Sequence, residues 1–201
     1  AKRLSLHFGR ALGAEMSLDE LRRDHDAVLL AIGVWEERSL GEAAGVVSGL
    51  SFLESAKNDP ELRAPERVVV LAGGDSAMDA ARVAQERGAE EIFIVFAGPR
   101  STMHWHLPES WFTTPGVSAM MEWQPLGYES GGVRIRHTRL GVESVLRAGL
   151  IIEAMALKRA DGIDIEGVYA AGAVVNGGAS VGQCVADGVA VAEQIHDDLL
   201  R

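Results

Sequence analysis

The sequence predicts an α/β fold, and three stretches carry that prediction. In VVVLAGGDSAMDAARVAQERGAEEIFIVF (68–96) an apolar run, a small-residue turn, a helix-period segment and a second apolar run follow one another. DAVLLAIG (26–33) is a compact apolar strand closed by glycine. GVYAAGAVV (167–175) reads as a third buried strand, followed by the turn NGG and a long amphipathic segment. Apolar runs alternating with helical patterns are the signature of βαβ units.

The remaining elements follow in order. LSLHFGR (4–10) reads as a short strand or turn entry, and SLDELRRDH (17–25) as a short helix or turn opened by an N-cap serine. Val34 to Gly45 is polar and irregular, a crossover between domains. A helix is predicted from about Gly49 to Lys57, stopped by Asp59-Pro60, because the residue before proline avoids the α region. Gly98-Pro99 opens an irregular segment through Gly116 that carries Trp105 and Trp111. SAMMEWQPLGYE (118–129), GVRIRHTRLG (132–141) and ESVLRAGLIIEAM (143–155) read as three strands of an antiparallel meander joined by turn glycines. Ala179 to Leu200 reads as one helix, with Val181, Val185, Val189, Ala192 and Ile195 on its apolar side.

The turn at 72–77 carries the chemistry. Gly73 and Gly74 lack side chains, so backbone can approach a pyrophosphate whose charge faces the N–H groups of the following helix. Ala77 stands where helix and strand must pack tightly, and Asp75 or Ser76 can cap the helix. The first glycine of the dinucleotide pattern G-x-G-x-x-G/A is Ala72. The same turn also fits a βαβ crossover that holds no ligand.

Composition narrows the classes. Hydrophobic content of 47% and charged content of 24% suit a globular chain of 201 residues, as one domain or two small ones. A formal net charge of −10 argues against partners bound by bulk electrostatics, nucleic acid or an anionic membrane. One cysteine, Cys184, excludes an intrachain disulfide, a C-x-x-C pair and a cysteine-held iron–sulfur cluster within these residues. No apolar run approaches the ~20 residues of a membrane span, and no signal-peptide pattern is present, so a cytoplasmic setting is expected. Opening on Ala1 in mid-pattern, the chain reads as a piece of a longer protein.

Several motifs agree in order and spacing with one known group. AGGDSAMDAARVAQERGAEEIFIV resembles the NAD(P)H turn and helix GGGDTAMDAAR, and LRAGLIIEAMA (146–156) is similar to the return strand ADLVIEAIG. EGVYAAGAVVNGGASVGQCVADGVAVAEQI (166–195) is similar to a flavin-contacting strand and helix, GVFAAGDVVNGGASVVEAVADGRRAAEAI. DAVLLAIG resembles the strand closing the first crossover of two-dinucleotide flavoprotein reductases. Together these resemble the glutamate synthase small-subunit group of FAD/NAD(P)-dependent pyridine nucleotide oxidoreductases.

The resemblance implies a Rossmann-like three-layer architecture. An NAD(P)-binding domain at 36–153 would be inserted into a partial FAD-type domain formed by 1–35 and 154–201. It implies NADPH or NADH as hydride donor, FAD as acceptor, and an electron exit through iron–sulfur clusters or a partner. Gly73, Gly74, Asp75, Ser76 and Ala77 would hold the nucleotide pyrophosphate, and Arg100 would meet the adenosine end. Gly172, Ala173, Asn176, Gly177, Gly178 and Ala179 would approach the flavin.

The departures matter equally. The group's N-terminal FAD fingerprint and cysteine-rich region are absent from these residues, so another polypeptide or an N-terminal segment would supply them with the iron–sulfur clusters. The aspartate of AAGD is Ala173, and losing one charge-assisted hydrogen bond costs roughly 1.5–3 kcal/mol. The glycine of VIEAIG is Ala156. FAGPR (96–100) keeps only Arg100 of an arginine pair that holds the NADPH 2′-phosphate, and no acid ends the strand at Phe96, so NAD and NADP stay undecided. An alternative therefore stands beside the oxidoreductase: a subunit that keeps the fold, has lost catalysis and serves a structural or binding role.

Other residues point less sharply. His104 and His106 read as solvated loop histidines, since no third metal ligand has fixed spacing. Cys184 reads as a small buried hydrophobe, and Met120, Met121 and Trp123 as strand packing. Asp79 either orients the nucleotide turn or serves as an anion near a helix N-terminus.

Overall fold

A computed structural model describes residues 4–34, 38–71, 74–103, 109–155, 165, 167–177 and 180–200. In chain order it contains α1 (Leu18–Asp24), β1 (Val28–Leu30), β2 (Val46–Ser48), α2 (Gly49–Asn58), β3 (Arg67–Leu71), α3 (Asp75–Glu86) and β4 (Glu91–Phe96). Then come β5 (Val117–Met121), β6 (Trp123–Glu129), β7 (Gly132–His137), β8 (Glu143–Arg147), β9 (Leu150–Glu153), β10 (Val168–Ala170), α4 (Ala173–Asn176) and α5 (Val181–Leu199). Short 3₁₀ turns occupy Arg100–Thr102 and Glu109–Thr113. The chain divides into two compact units, 1–36 with 158–201, and 37–157.

The 37–157 unit is built on a five-stranded parallel sheet of order β2-β9-β3-β4-β5. The apolar run of β3 is central, and residues 68–71 alternate between its two faces without exposing either. Val68 and Val70 pack with Ile92, Ile94 and Ile152 against Phe52 of α2 and Ala77, Ala80, Ala81 and Ala84 of α3. Val69 and Leu71 pack with Val95 and Ile151 against Val133 and Ile135 of the antiparallel meander β6-β7-β8. A strand buried on both faces needs an unbroken apolar run, which is what VVVL supplies. Each such side chain contributes about 1.5–3 kcal/mol of burial.

Helix α3 lies close to the sheet because four of its five buried residues, at 77, 80, 81 and 84, are alanine; the fifth is Met78. Its far end is tied to α2: the Arg87 guanidinium donates to the carbonyls of Ala56 at 2.5 Å and Pro60 at 2.6 Å.

The other unit holds a two-stranded parallel sheet in which Val28 pairs with Val168 and Leu30 with Ala170. Helix α1 opens on a capping box: the Ser17 hydroxyl accepts from the Glu20 N–H, and the Glu20 carboxylate accepts from the Ser17 N–H. The Tyr169 hydroxyl donates to Asp198 at 3.0 Å, fastening α5 to β10.

Four expectations are corrected. Residues 4–10 form no strand, and Leu4, Leu6 and Phe8 are exposed. The stretches 118–129 and 143–155 are each two strands, not one. The first halves of 118–129 and the second half of 143–155, β5 and β9, join the parallel sheet, while β6 and β8 remain in the meander. The first break falls at Glu122, in the left-handed region at φ 63°. The stretch 167–175 splits at Gly172, whose φ of 79° ends the strand before the short helix α4. Finally, the apolar stripe of α5 is uncovered: Val181 is 81% exposed, Val185 61% and Val189 56%. Cys184 is accordingly half-buried.

Candidate functional site

In an open α/β sheet the ligand crevice lies outside the carboxyl ends of the strands, where strand order reverses. Here the chain runs from β3 outward through β4 to β5, then returns to place β9 on the opposite side of β3. The reversal point is therefore the gap between the C-terminal ends of β3 and β9. Helix α3 starts at this edge, with three residues, 72–74, between it and the end of β3.

Gly74 is the N-cap of α3, with extended backbone (φ −107°, ψ −178°). Its carbonyl accepts from the N–H groups of Ala77 and Met78, both at 3.1 Å. The expected N-cap at Asp75 or Ser76 is corrected: the N-cap is Gly74, and these are the first two helical residues. A Cβ placed on Gly74 would meet no atom within 4 Å, so the glycine borders open space. The first-turn N–H groups of any α-helix lack intrahelical acceptors, and that space is where an anion would meet them. Ala77 is fully buried, where helix and strand pack. Ala72 and Gly73 lie outside the described residues.

Arg100 follows β4 on the same edge of the sheet, with its guanidinium 5.7 Å from the ring centre of Phe112. Asp79 sits one turn into α3 and pairs with Arg82 at 3.9 Å. His104, His106, Ala156, Gly178 and Ala179 lie outside the described residues. No group of three or more metal-ligating side chains occurs among the described residues.

The flavin-facing expectations fall in the other unit. Gly172 caps α4, and a Cβ there would lie 3.5 Å from Cβ of Cys184. Ala173 is the first residue of α4 and is half-buried. Gly177 ends α4 in the left-handed conformation (φ 79°). The Asn176 amide donates to Asp187 at 2.7 Å, and the other Asp187 oxygen accepts from Gln183 at 2.9 Å. Asn176 is thereby engaged with α5.

One residue of the crevice is not evident from motif reading. Glu153, the last residue of β9, is only 4% exposed. Its Oε1 accepts from the Leu40 N–H at 2.7 Å and from the Tyr128 hydroxyl. Burial, reinforced by this bond to Glu153, pushes the Tyr128 hydroxyl well above its ordinary range.

No family model matches the chain. A glutamate synthase [NADPH] small chain from Azospirillum brasilense is 28% identical over 94% of this chain and 52% of its own length. The chain is similar to glutamate synthase small chains along nearly its whole length. The NAD-dependent dihydropyrimidine dehydrogenase subunit PreT of Escherichia coli (strain K12) is 27% identical over 96% of this chain and 52% of its own length. The chain thus spans about half the length of these curated relatives. Among solved structures, T. acidophilum thioredoxin reductase superposes with a TM-score of 0.63 at 18% identity, over 87% of this chain and 66% of that one. Histamine dehydrogenase from Rhizobium sp. 4-9 gives 0.66 at 16% identity, over 87% and 30%. The fold of this glutamate synthase small-chain-like protein is therefore the Rossmann-type α/β fold of thioredoxin reductase. Among the described residues, no helix is long and apolar enough to cross a membrane.

Proposed function

We propose that the chain is the nucleotide-binding portion of an NAD(P)H-linked flavin oxidoreductase, passing electrons between a nicotinamide cofactor, FAD and a partner. The observation that carries this reading is Gly74, a side-chain-free N-cap bordering open space at the strand-order reversal of a parallel sheet. The residues present fit a nicotinamide dinucleotide. The first-turn N–H groups of α3 at Asp75 and Ser76 would meet the pyrophosphate, with Ala77 packing the helix against the sheet beneath it, and Arg100 stands beyond β4 on the side where an adenosine ribose is held in such folds. When bound, the nicotinamide supplies a hydride; the chain's own work is binding, orientation and exclusion of water.

The fit to FAD is partial. Gly172 and Gly177 let backbone come close, but Ala173 offers no polar group and the Asn176 amide is held by Asp187. The pyrophosphate of FAD would be held by another polypeptide or an N-terminal segment, which would also bring the iron–sulfur clusters. The domain boundaries, 36–153 for the nucleotide and 1–35 with 154–201 for the flavin, belong to this proposal.

The second reading, a subunit that keeps the fold without turnover, is favoured by Ala72, Ala156 and Ala173, which stand where the group has glycine, glycine and aspartate. Titration calorimetry with NADH and NADPH separates the two. Under the first reading the chain binds one of them at millimolar affinity or better. Gly74→Val then folds normally and binds neither, since a branched side chain fills the open space. Absence of binding to both nucleotides, or a Gly74→Val variant that binds like its parent, would sink it.

A further inference from the structure

The nucleotide reading leaves one buried charged group without a use. Glu153 closes β9 directly opposite Leu71, the residue that closes β3, so it stands at the rim of the strand-order reversal. Its companions in β9, Leu150, Ile151 and Ile152, are all apolar. Burying a carboxylate in such surroundings is costly unless it is well paired. Only one of its oxygens is: Oε1 takes both the Leu40 N–H and the Tyr128 hydroxyl, while Oε2 has no hydrogen-bond partner among the described residues. No fully buried side-chain oxygen among those residues is left unpaired, so Oε2 keeps a contact with solvent. The two donors on Oε1 fix the carboxyl group and leave Oε2 as its remaining acceptor.

The topology decides which part of a dinucleotide meets it. In this class of sheet the adenosine ribose lies toward the strand after the first helix, here β4, and the pyrophosphate crosses the first helix N-terminus. The other half of the molecule then extends past β3 toward β9. We propose that Glu153 accepts a hydrogen bond, through Oε2, from the nicotinamide–ribose half of the bound dinucleotide. The donor is the carboxamide N–H or a ribose hydroxyl, both uncharged donors suited to a fixed carboxylate.

This rests on the nucleotide reading, and the test separates their failures by using two ligands. ADP carries only the adenosine and pyrophosphate groups, whereas NADH or NADPH, whichever the parent binds, adds the nicotinamide riboside. Glu153→Gln, near-identical in shape, should weaken NAD(P)H binding by about tenfold, as expected for one hydrogen bond to a charged group, and leave ADP binding within about twofold. Substituting 3-acetylpyridine adenine dinucleotide for NAD identifies the donor: weaker binding to the parent assigns the carboxamide, and equal binding assigns the ribose. A second measurement needs no variant. The Leu40 amide, which donates to the same carboxylate, should exchange its hydrogen more slowly with NAD(P)H than with ADP. Equal losses for both ligands in Glu153→Gln, no loss for either, or a Leu40 amide indifferent to NAD(P)H would overturn the proposal. A parent chain that binds neither ligand would instead remove the nucleotide reading itself.

Discussion

Gly116 and Glu90 approach so closely that a Cβ on the glycine would lie 2.0 Å from the Glu90 carbonyl oxygen. The contact sits where β5 joins β4, and the Gly116 carbonyl accepts from the Ile92 N–H at 2.7 Å. Its φ of +87° adds strain for any other residue. Gly88 shares the positive φ, at +101°, but a Cβ there meets nothing within 4 Å. Gly88→Ala should therefore cost only the conformational strain, about 1–2 kcal/mol, whereas Gly116→Ala adds a backbone clash and should cost several. Urea unfolding of both variants checks the difference. Equal losses would mean that the β5 edge moves aside freely.

The part of the fold most legible in the sequence is the part with least freedom. VVVL had to be a central strand because an unbroken apolar run is stable only when both faces are covered, and Ala77, Ala80, Ala81 and Ala84 mark the face laid against it. The breaks at Glu122 and at Ala148–Gly149 were not legible. Each divides a continuous β-like pattern between two sheets, and only tertiary pairing tells the halves apart. In the site, Gly74 was readable because a glycine turn before a helix has a local signature. Glu153 was not, because an acid ending an apolar run reads as an ordinary strand end. Its place beside the strand-order reversal comes from its register with Leu71, 82 positions away in sequence.

The stripe of α5 marks a limit of periodicity: it showed a helix with an apolar side but not whether that side is covered. Val185 is exposed, whereas Val174, in the same unit, is fully buried. Val185→Lys should change stability by no more than about 0.5 kcal/mol, while Val174→Ala should cost about 2 kcal/mol through lost burial and a residual cavity. Thermal unfolding of the two variants measures this. A Val185→Lys loss as large as that of Val174→Ala would show that the stripe is covered in solution.

Tyr128 gives the fold a dependence on alkaline pH. Burial and the bond to Glu153 raise its folded-state pKa above the ordinary value of 10.0. A raised pKa means that the fold favours the protonated phenol. The resulting stability is complete below that ordinary value. It is lost as pH rises above it, because the unfolded chain then releases a proton that the folded chain retains. Tyr128→Phe has no proton to release and lacks this contribution at every pH. The stability gap between parent and variant should therefore narrow as pH rises from about 9 to about 11. Tyr169, raised by its bond to Asp198, is present in both proteins and cancels from the difference. Urea unfolding at a series of pH values checks the sign. A gap that stays constant or widens across that range would mean that the Tyr128 hydroxyl ionises as easily in the fold as in the unfolded chain.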